Sequence, residues 1–165
     1  MRTITVELGE KTYNIEIAAG LLDQIGAKAR VLSQAVKAAI ISDSNVDPLY
    51  GERLERSLAA SEFEVTRIVF AAGEQSKNLT VLGQVYDELA RAGLTRSDLI
   101  LTLGGGVPGD LGGFAAATFL RGIDFIQVPT SLLAQIDSSV GGKVAIDLPS
   151  GKNLAGSFYQ PKAVF

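Results

Sequence analysis

The stretch that most constrains the fold of this chain begins at Asp98. An apolar run, Asp98-Leu-Ile-Leu-Thr-Leu103, meets a glycine-rich turn, Gly104-Gly-Gly-Val-Pro-Gly109-Asp110. A segment of small residues, Leu111 to Leu120, follows directly. A continuous apolar strand that opens through glycines into a helix is the start of a βαβ unit. The rest of the chain repeats the alternation. Ala38–Ser42, Phe63–Phe70 and Asp124–Val128 read as strands. Leu21–Leu32, Leu49–Ala60 and Leu79–Ala92 read as helices, the last with apolar positions at Leu82, Val85 and Leu89 and, offset, Tyr86. Ahead of them, Thr3–Leu8 and Tyr13–Ile17 alternate polar and apolar around Gly9-Glu-Lys, which predicts a β-hairpin. The expected class is α/β: a parallel sheet flanked by helices, with an N-terminal β-hairpin. Lys162-Ala-Val-Phe165 reads as the start of a strand that has been cut.

Composition narrows the chemistry. At 165 residues, one domain is expected. An apolar fraction of 47% and a charged fraction of 20% suit a soluble globular protein. The formal net charge of −3 argues against a general nucleic-acid surface, so any anion site must be local. The mild acidity lies before residue 121. Beyond it, Arg121, Lys143, Lys152 and Lys162 face only Asp124, Asp137 and Asp147. There is no cysteine, hence no disulfide and no thiolate chemistry, and no histidine, the commonest metal ligand and neutral-pH base. The N-terminus lacks signal-peptide character and no apolar run reaches membrane-spanning length, so a cytoplasmic protein without membrane contact is expected.

Gly104, Gly106 and Gly109 fit the spacing G-x-G-x-x-G between a strand and a helix. Glycines let the backbone approach a pyrophosphate, and a helix N-terminus offers free N–H groups and a positive dipole end. A tight strand-to-helix turn would use the same residues. Pro108 has no N–H and is tolerable only in the first helical turn. The acidic residue that would grip a ribose is missing after the next strand, which ends at Pro129-Thr130-Ser131. Asp43, at the end of an earlier strand, is the alternative, and it reads equally as a turn or cap residue.

Three further groups stand out. Glu74 and Lys77, in Ala72-Gly-Glu-Gln-Ser-Lys77, could face a nucleotide or simply solvate a helix entry. Thr130 and Ser131 either cap a helix or line a ligand at a strand's carboxyl end. Asp137, Lys143, Lys152 and Asn153 crowd a glycine-rich stretch, and lysines at such turns suit anionic substrate oxygens or are plain surface loops.

These residues carry a resemblance. GGGVPGDLGGFAAATFLRG, QVPTSLLAQIDSSVGGKVAIDLPSGKN and AGSFYQP, with AGEQSK and SDSNV upstream, closely resemble the 3-dehydroquinate synthase family of sugar phosphate cyclases. The resemblance spans nearly the whole chain from the hairpin onward, and its DSSVGGK…GKN block is the most specific part. It implies a Rossmann-like domain covering residues 1–165. The implied reaction converts 3-deoxy-D-arabino-heptulosonate 7-phosphate to 3-dehydroquinate and phosphate, in the shikimate route to aromatic amino acids. NAD is implied as cofactor, a phosphorylated sugar acid as substrate, and a homodimer as the usual assembly. By position, Asp43, Asn45, Glu74, Lys77, Gly105, Gly106, Val107, Asp110, Thr130, Ser131 and Leu133 resemble the family's NAD contacts. Arg121, Asp137, Lys143, Lys152 and Asn153 resemble its substrate-site residues, with Lys143 and Lys152 also near the cofactor.

The match has departures. Ala71 stands where the family commonly has proline, Pro108 where it has an aliphatic residue, Ser131 for threonine and Gly112 for alanine. The family's divalent metal, zinc or cobalt, is held by a glutamate and two histidines in a following helical domain, and none of these ligands can be carried over here. The expectation is therefore the nucleotide-binding part of such an enzyme, inactive alone. A related cyclase such as 2-deoxy-scyllo-inosose synthase and a non-catalytic nucleotide-binding module are the alternatives.

Overall fold

A computed structural model describes residues 1–165. Nine strands and four α-helices follow in chain order. β1 (Arg2–Val6) and β2 (Tyr13–Ile17) form the expected antiparallel hairpin. Then come α1 (Ile25–Leu32), β3 (Lys37–Asp43), α2 (Glu52–Ala59), β4 (Glu64–Phe70), α3 (Leu79–Arg91), β5 (Leu99–Gly104), α4 (Gly106–Thr118) and β6 (Asp124–Pro129). β7 (Lys143–Leu148), β8 (Gly151–Phe158) and β9 (Ala163–Val164) complete the chain.

The main sheet has seven strands in the order β1-β2-β9-β6-β5-β3-β4. It is mixed: only the β1–β2 pairing is antiparallel. β9 slots between β2 and β6, so the residues that read as a cut strand pair on both sides. Chain order reverses at β3, which has β4 on one side and β5 on the other. In open α/β sheets that switch point leaves a crevice outside the carboxyl ends of the strands. Here those ends are Asp43 and Gly104.

α1 and α2 cover one face through Ile25, Ala29, Leu54 and Leu58. α3 and α4 cover the other through Leu82, Val85, Leu89, Leu111 and Ala115. β7 and β8 form a separate antiparallel hairpin, so Lys143, Lys152 and Asn153 stand on strands and not on surface loops. It lies over α4 and buries Val144 and Ile146. α4 is therefore enclosed on two sides, which explains its small residues. An added Cβ at Gly112 would sit 2.6 Å from Thr102 Cγ2 in β5, and one at Gly113 would sit 2.4 Å from Val144 Cγ1 in β7.

Asp98 pins the base of the sheet. Its Oδ1 accepts from the Lys37 N–H at 2.8 Å, and its Oδ2 accepts from the Thr95 N–H at 2.7 Å and hydroxyl at 2.8 Å. Burial works to raise its pKa, but these donors together hold it below the ordinary carboxylate value. A carboxyl with a lowered folded pKa stabilises the fold above its unfolded pKa and loses that contribution as pH falls through the folded value. Asp98→Asn is expected to cost about 1–3 kcal/mol at pH 7, because an amide nitrogen cannot accept from Thr95. Urea melts at pH 7 and pH 3 should show the wild-type advantage shrinking at the lower pH. An advantage that persists undiminished in acid would contradict the assignment.

Candidate functional site

The glycine turn is tighter than its spacing suggests. Only Gly104 and Gly105 lie outside the helix, and α4 starts at Gly106. Gly104 takes φ +154°, and a Cβ there would come 2.5 Å from Pro108 Cγ. Pro108 is the third helical residue, within the first turn, as its missing N–H requires. No side chain caps this helix, and Gly109 donates back to the Gly105 carbonyl at 3.2 Å. Gly106 and Val107 thus present the free first-turn donors. A Cβ on Gly105 or Gly106 would meet nothing closer than 3.4 Å, so the approach to these donors is open. The turn fits a phosphate group. Gly109 and Gly112 serve close packing instead.

Asp43 ends β3 on the opposite side of the crevice. Its Oδ1 accepts from the N–H groups of Asn45 at 2.9 Å and Val46 at 3.0 Å, so the turn-forming reading holds for that oxygen. Its other oxygen carries none of the chain's hydrogen bonds. Asn45 is exposed beside it. Thr130 donates its N–H to the Gly104 carbonyl at 2.9 Å, fixing the end of β6 against the turn. The Ser131 hydroxyl accepts from the Ala134 N–H at 3.3 Å, which is capping. Leu133 is exposed on the same segment.

The centre of the site is a buried ammonium. Lys77 is 4% exposed. Its Nζ donates to Asp110 Oδ2 in α4 and, at 2.6 Å, to Asn153 Oδ1 in β8. Burial raises the Asp110 pKa, and the Lys77 hydrogen bond and charge oppose that rise. Lys152, beside Asn153 on β8, meets Glu74 Oε1 at 3.2 Å on the same loop as Lys77. Lys143 Nζ lies 3.5 Å from Asp137 Oδ1, and both side chains are more than half exposed. A cavity of about 520 Å³ is lined by Asp110, Asp137, Ser138, Lys143 and Asn153 among others. Residues expected on the cofactor side and on the substrate side therefore share one wall.

Arg121 is not brought to this cluster. Helix α4 carries the chain from the carboxyl end of β5 back to the amino end of β6, roughly 20 Å at 1.5 Å per residue. Arg121 is exposed at that far end, at φ +69°. Sequence reasoning missed Asp147, whose Oδ1 accepts from the Asn153 N–H at 2.8 Å, and it missed the Lys77–Asp110 pairing. The alternation of Val144 and Ile146 up to Pro149-Ser-Gly151 was the available signal for the hairpin that carries Asp147. No group of three or more His, Cys, Asp or Glu is placed to hold a metal ion, so the residues of this chain do not fit one.

This site lies at the switch point of a mostly parallel sheet and opens on an uncapped glycine helix, and the fold is of Rossmann-like class. Comparison with known proteins makes the class specific. Residues 67–165 match the family described as 3-dehydroquinate synthase N-terminal, and the chain belongs to that family. It is 56% identical over 165 residues to 3-dehydroquinate synthase of Clostridium acetobutylicum, covering 100% of this chain and 46% of the relative. It is 52% identical over 165 residues to that of Caulobacter vibrioides, covering 99% and 45%. The chain thus spans about half the length of these curated relatives. Among solved structures it resembles 2-deoxy-scyllo-inosose synthase complexed with carbaglucose-6-phosphate, NAD+ and Co2+, at TM-score 0.91 and 30% identity over 99% of this chain and 45% of the other. It also resembles 2-epi-5-epi-valiolone synthase of Streptomyces hygroscopicus with NAD+ and Zn2+ bound, at TM-score 0.82 and 28% identity over 96% and 44%. No helix is long and apolar enough to cross a membrane.

Proposed function

We propose that residues 1–165 act as one nucleotide-binding unit of a 3-dehydroquinate synthase. The unit holds NAD at the α4 turn and forms one wall of the pocket for 3-deoxy-D-arabino-heptulosonate 7-phosphate. The observation that carries this reading is the shared wall: Asp110 from the glycine helix and Asp137, Lys143 and Asn153 line one cavity. A cofactor bound at the helix and a substrate bound at the hairpin would touch there.

NAD, when bound, supplies a hydride acceptor. The chain's own residues bind and orient. The free N–H groups of Gly106 and Val107 and the dipole end of α4 receive pyrophosphate oxygens. The free oxygen of Asp43 takes a ribose hydroxyl. Asn45, Gly105, Thr130 and Leu133 line the approach, and Lys77 holds Asp110 against the turn. Lys143 and Lys152 offer point charges to anionic substrate oxygens. Asp137 accepts from a substrate hydroxyl. This chain supplies no ligand set for a divalent metal.

Calorimetric titration of NAD into the chain tests the first half. Saturable binding with Kd below about 1 mM, roughly −4 kcal/mol, is expected. No heat at millimolar NAD would remove the cofactor assignment. Phosphate release from the heptulosonate phosphate, assayed with NAD and divalent metal, tests the second. The chain by itself is expected to give no turnover, while the protein as its source organism makes it is expected to be active.

A further inference from the structure

We propose that Asp147 and Lys77 are positioning residues that lock Asn153 with its amide nitrogen toward the cavity. The site then reads a hydrogen-bond acceptor on the bound sugar phosphate at that point. The proposal rests on the functional reading above and adds two residues that act through a third.

Asn153 has φ +56°, in the left-handed region that asparagine tolerates better than most residues. Its backbone there is fixed by the N–H that donates to Asp147 Oδ1 at 2.8 Å. Asp147 is itself anchored, because its N–H donates to the Lys77 carbonyl at 2.8 Å. The Lys77 ammonium closes the ring of contacts on Asn153 Oδ1 at 2.6 Å. An ammonium has three donors and no acceptor, so it can meet only the oxygen of the amide. The choice between the two amide orientations is thus made by chemistry. The remaining half, Nδ2 with two donors, makes no hydrogen bond within the chain. Asn153 is exposed and lines the cavity beside Lys143 and Asp137. Its donors must therefore go to water or to an acceptor oxygen of a ligand, which hydroxyl, carbonyl and phosphate groups all provide.

The test uses the protein as its source organism makes it, with 3-deoxy-D-arabino-heptulosonate 7-phosphate as probe. In Asn153→Asp one oxygen still accepts from Lys77, and the other turns a negatively charged acceptor on the ligand. KM for the sugar phosphate is expected to rise about 100-fold. In Asp147→Ala the strained backbone loses its acceptor, and that KM is expected to rise about tenfold with KM for NAD within twofold of wild type. Asp147→Asn keeps an acceptor oxygen and is expected to restore wild-type values. A purely structural Asp147 would instead lower kcat and melting temperature and leave the ratio of the two KM values unchanged. A wild-type KM in Asn153→Asp, or in Asp147→Ala, overturns the proposal. A readout independent of turnover separates it from the functional reading. The Asn153 side-chain NH2 signals in a nitrogen-15 spectrum, assigned by their loss in Asn153→Asp, should move in Asp147→Ala and stay in place in Asp147→Asn. If wild type does not turn over this substrate while the signals respond as described, the function falls and the positioning stands. Signals that ignore Asp147→Ala sink the positioning.

Discussion

Lys77→Met is expected to destabilise the chain by about 3 kcal/mol, because it strands Asp110 without its counter-charge. Asp110 is largely buried, with its side chain 18% exposed, against the 4% of Lys77. Burial already raises its pKa, and the Lys77 hydrogen bond and charge are the chief opposing influences. Methionine matches the length of the lysine stem, so packing changes little and the loss is that of the ion pair and of the hydrogen bond to Asn153 Oδ1. The sign of the pH dependence follows. Without Lys77 the folded pKa of Asp110 climbs further. A carboxyl whose folded pKa is raised favours the fold when protonated and loses that advantage as pH rises through the folded value. The deficit of Lys77→Met relative to wild type should therefore be larger at pH 8 than at pH 5. Urea melts of wild type, Lys77→Met, Asp110→Leu and the double variant measure it. The double variant should recover much of the loss, since an apolar pair often replaces a buried ion pair without penalty. A single-variant cost under about 1 kcal/mol, or a deficit that grows in acid, would show that the pair is not doing what its burial implies.

The same pair marks the limit of what the sequence discloses. Strands β3 to β6 and helices α1 to α3 were legible because their apolar residues keep a period of 2 or 3.6, or form unbroken runs. The N-terminal hairpin was legible from its alternation around Gly9. α4 reads from Leu111 onward, yet it starts at Gly106, because glycines in the first turns have poor helix propensity. Burial between the sheet and the β7–β8 hairpin overrides that propensity. β9 has two residues, too few for any periodic signal, and its place is decided by pairing with β2 and β6. Residues grouped by motif, such as Lys143 and Asn153, do meet at one cavity. Lys77 and Asp110 are far apart in the chain and meet only because β4, α3 and β5 bring their loops to one end of the sheet. Arg121 shows the converse. It follows the glycine helix closely in sequence, and the helix itself carries it to the far end.

Gly113→Ala is the second substitution with a large expected effect, and it acts on the site through packing. A Cβ at 113 would stand 2.4 Å from Val144 Cγ1 and 3.2 Å from the Phe125 ring. Neither neighbour can retreat. Val144 is 1% exposed under the hairpin, and Phe125 is fully buried and stacked on Tyr159 at 5.6 Å between centroids. Overpacking of this kind costs typically about 1–3 kcal/mol, and alanine's better helix propensity returns at most about 1 kcal/mol of it. The strain is relieved most cheaply by lifting the β7–β8 hairpin, which is held to α4 chiefly through Val144 and Ile146. That movement would draw Asn153 away from Lys77 and Lys143 away from Asp137. Gly113→Ala is therefore expected to lower stability and to weaken sugar phosphate binding at temperatures where the fold is intact. Val144→Ala, which removes the clashing methyls, should restore both in the double variant. Gly109→Ala is the milder comparison on the same helix, because its Cβ would meet the Gln127 side chain, its oxygen at 3.1 Å, and no backbone or ring atom. If Gly113→Ala melts within 2 °C of wild type, a shift smaller than about 1 kcal/mol would give in a chain of this size, α4 and the hairpin are not in the close contact described.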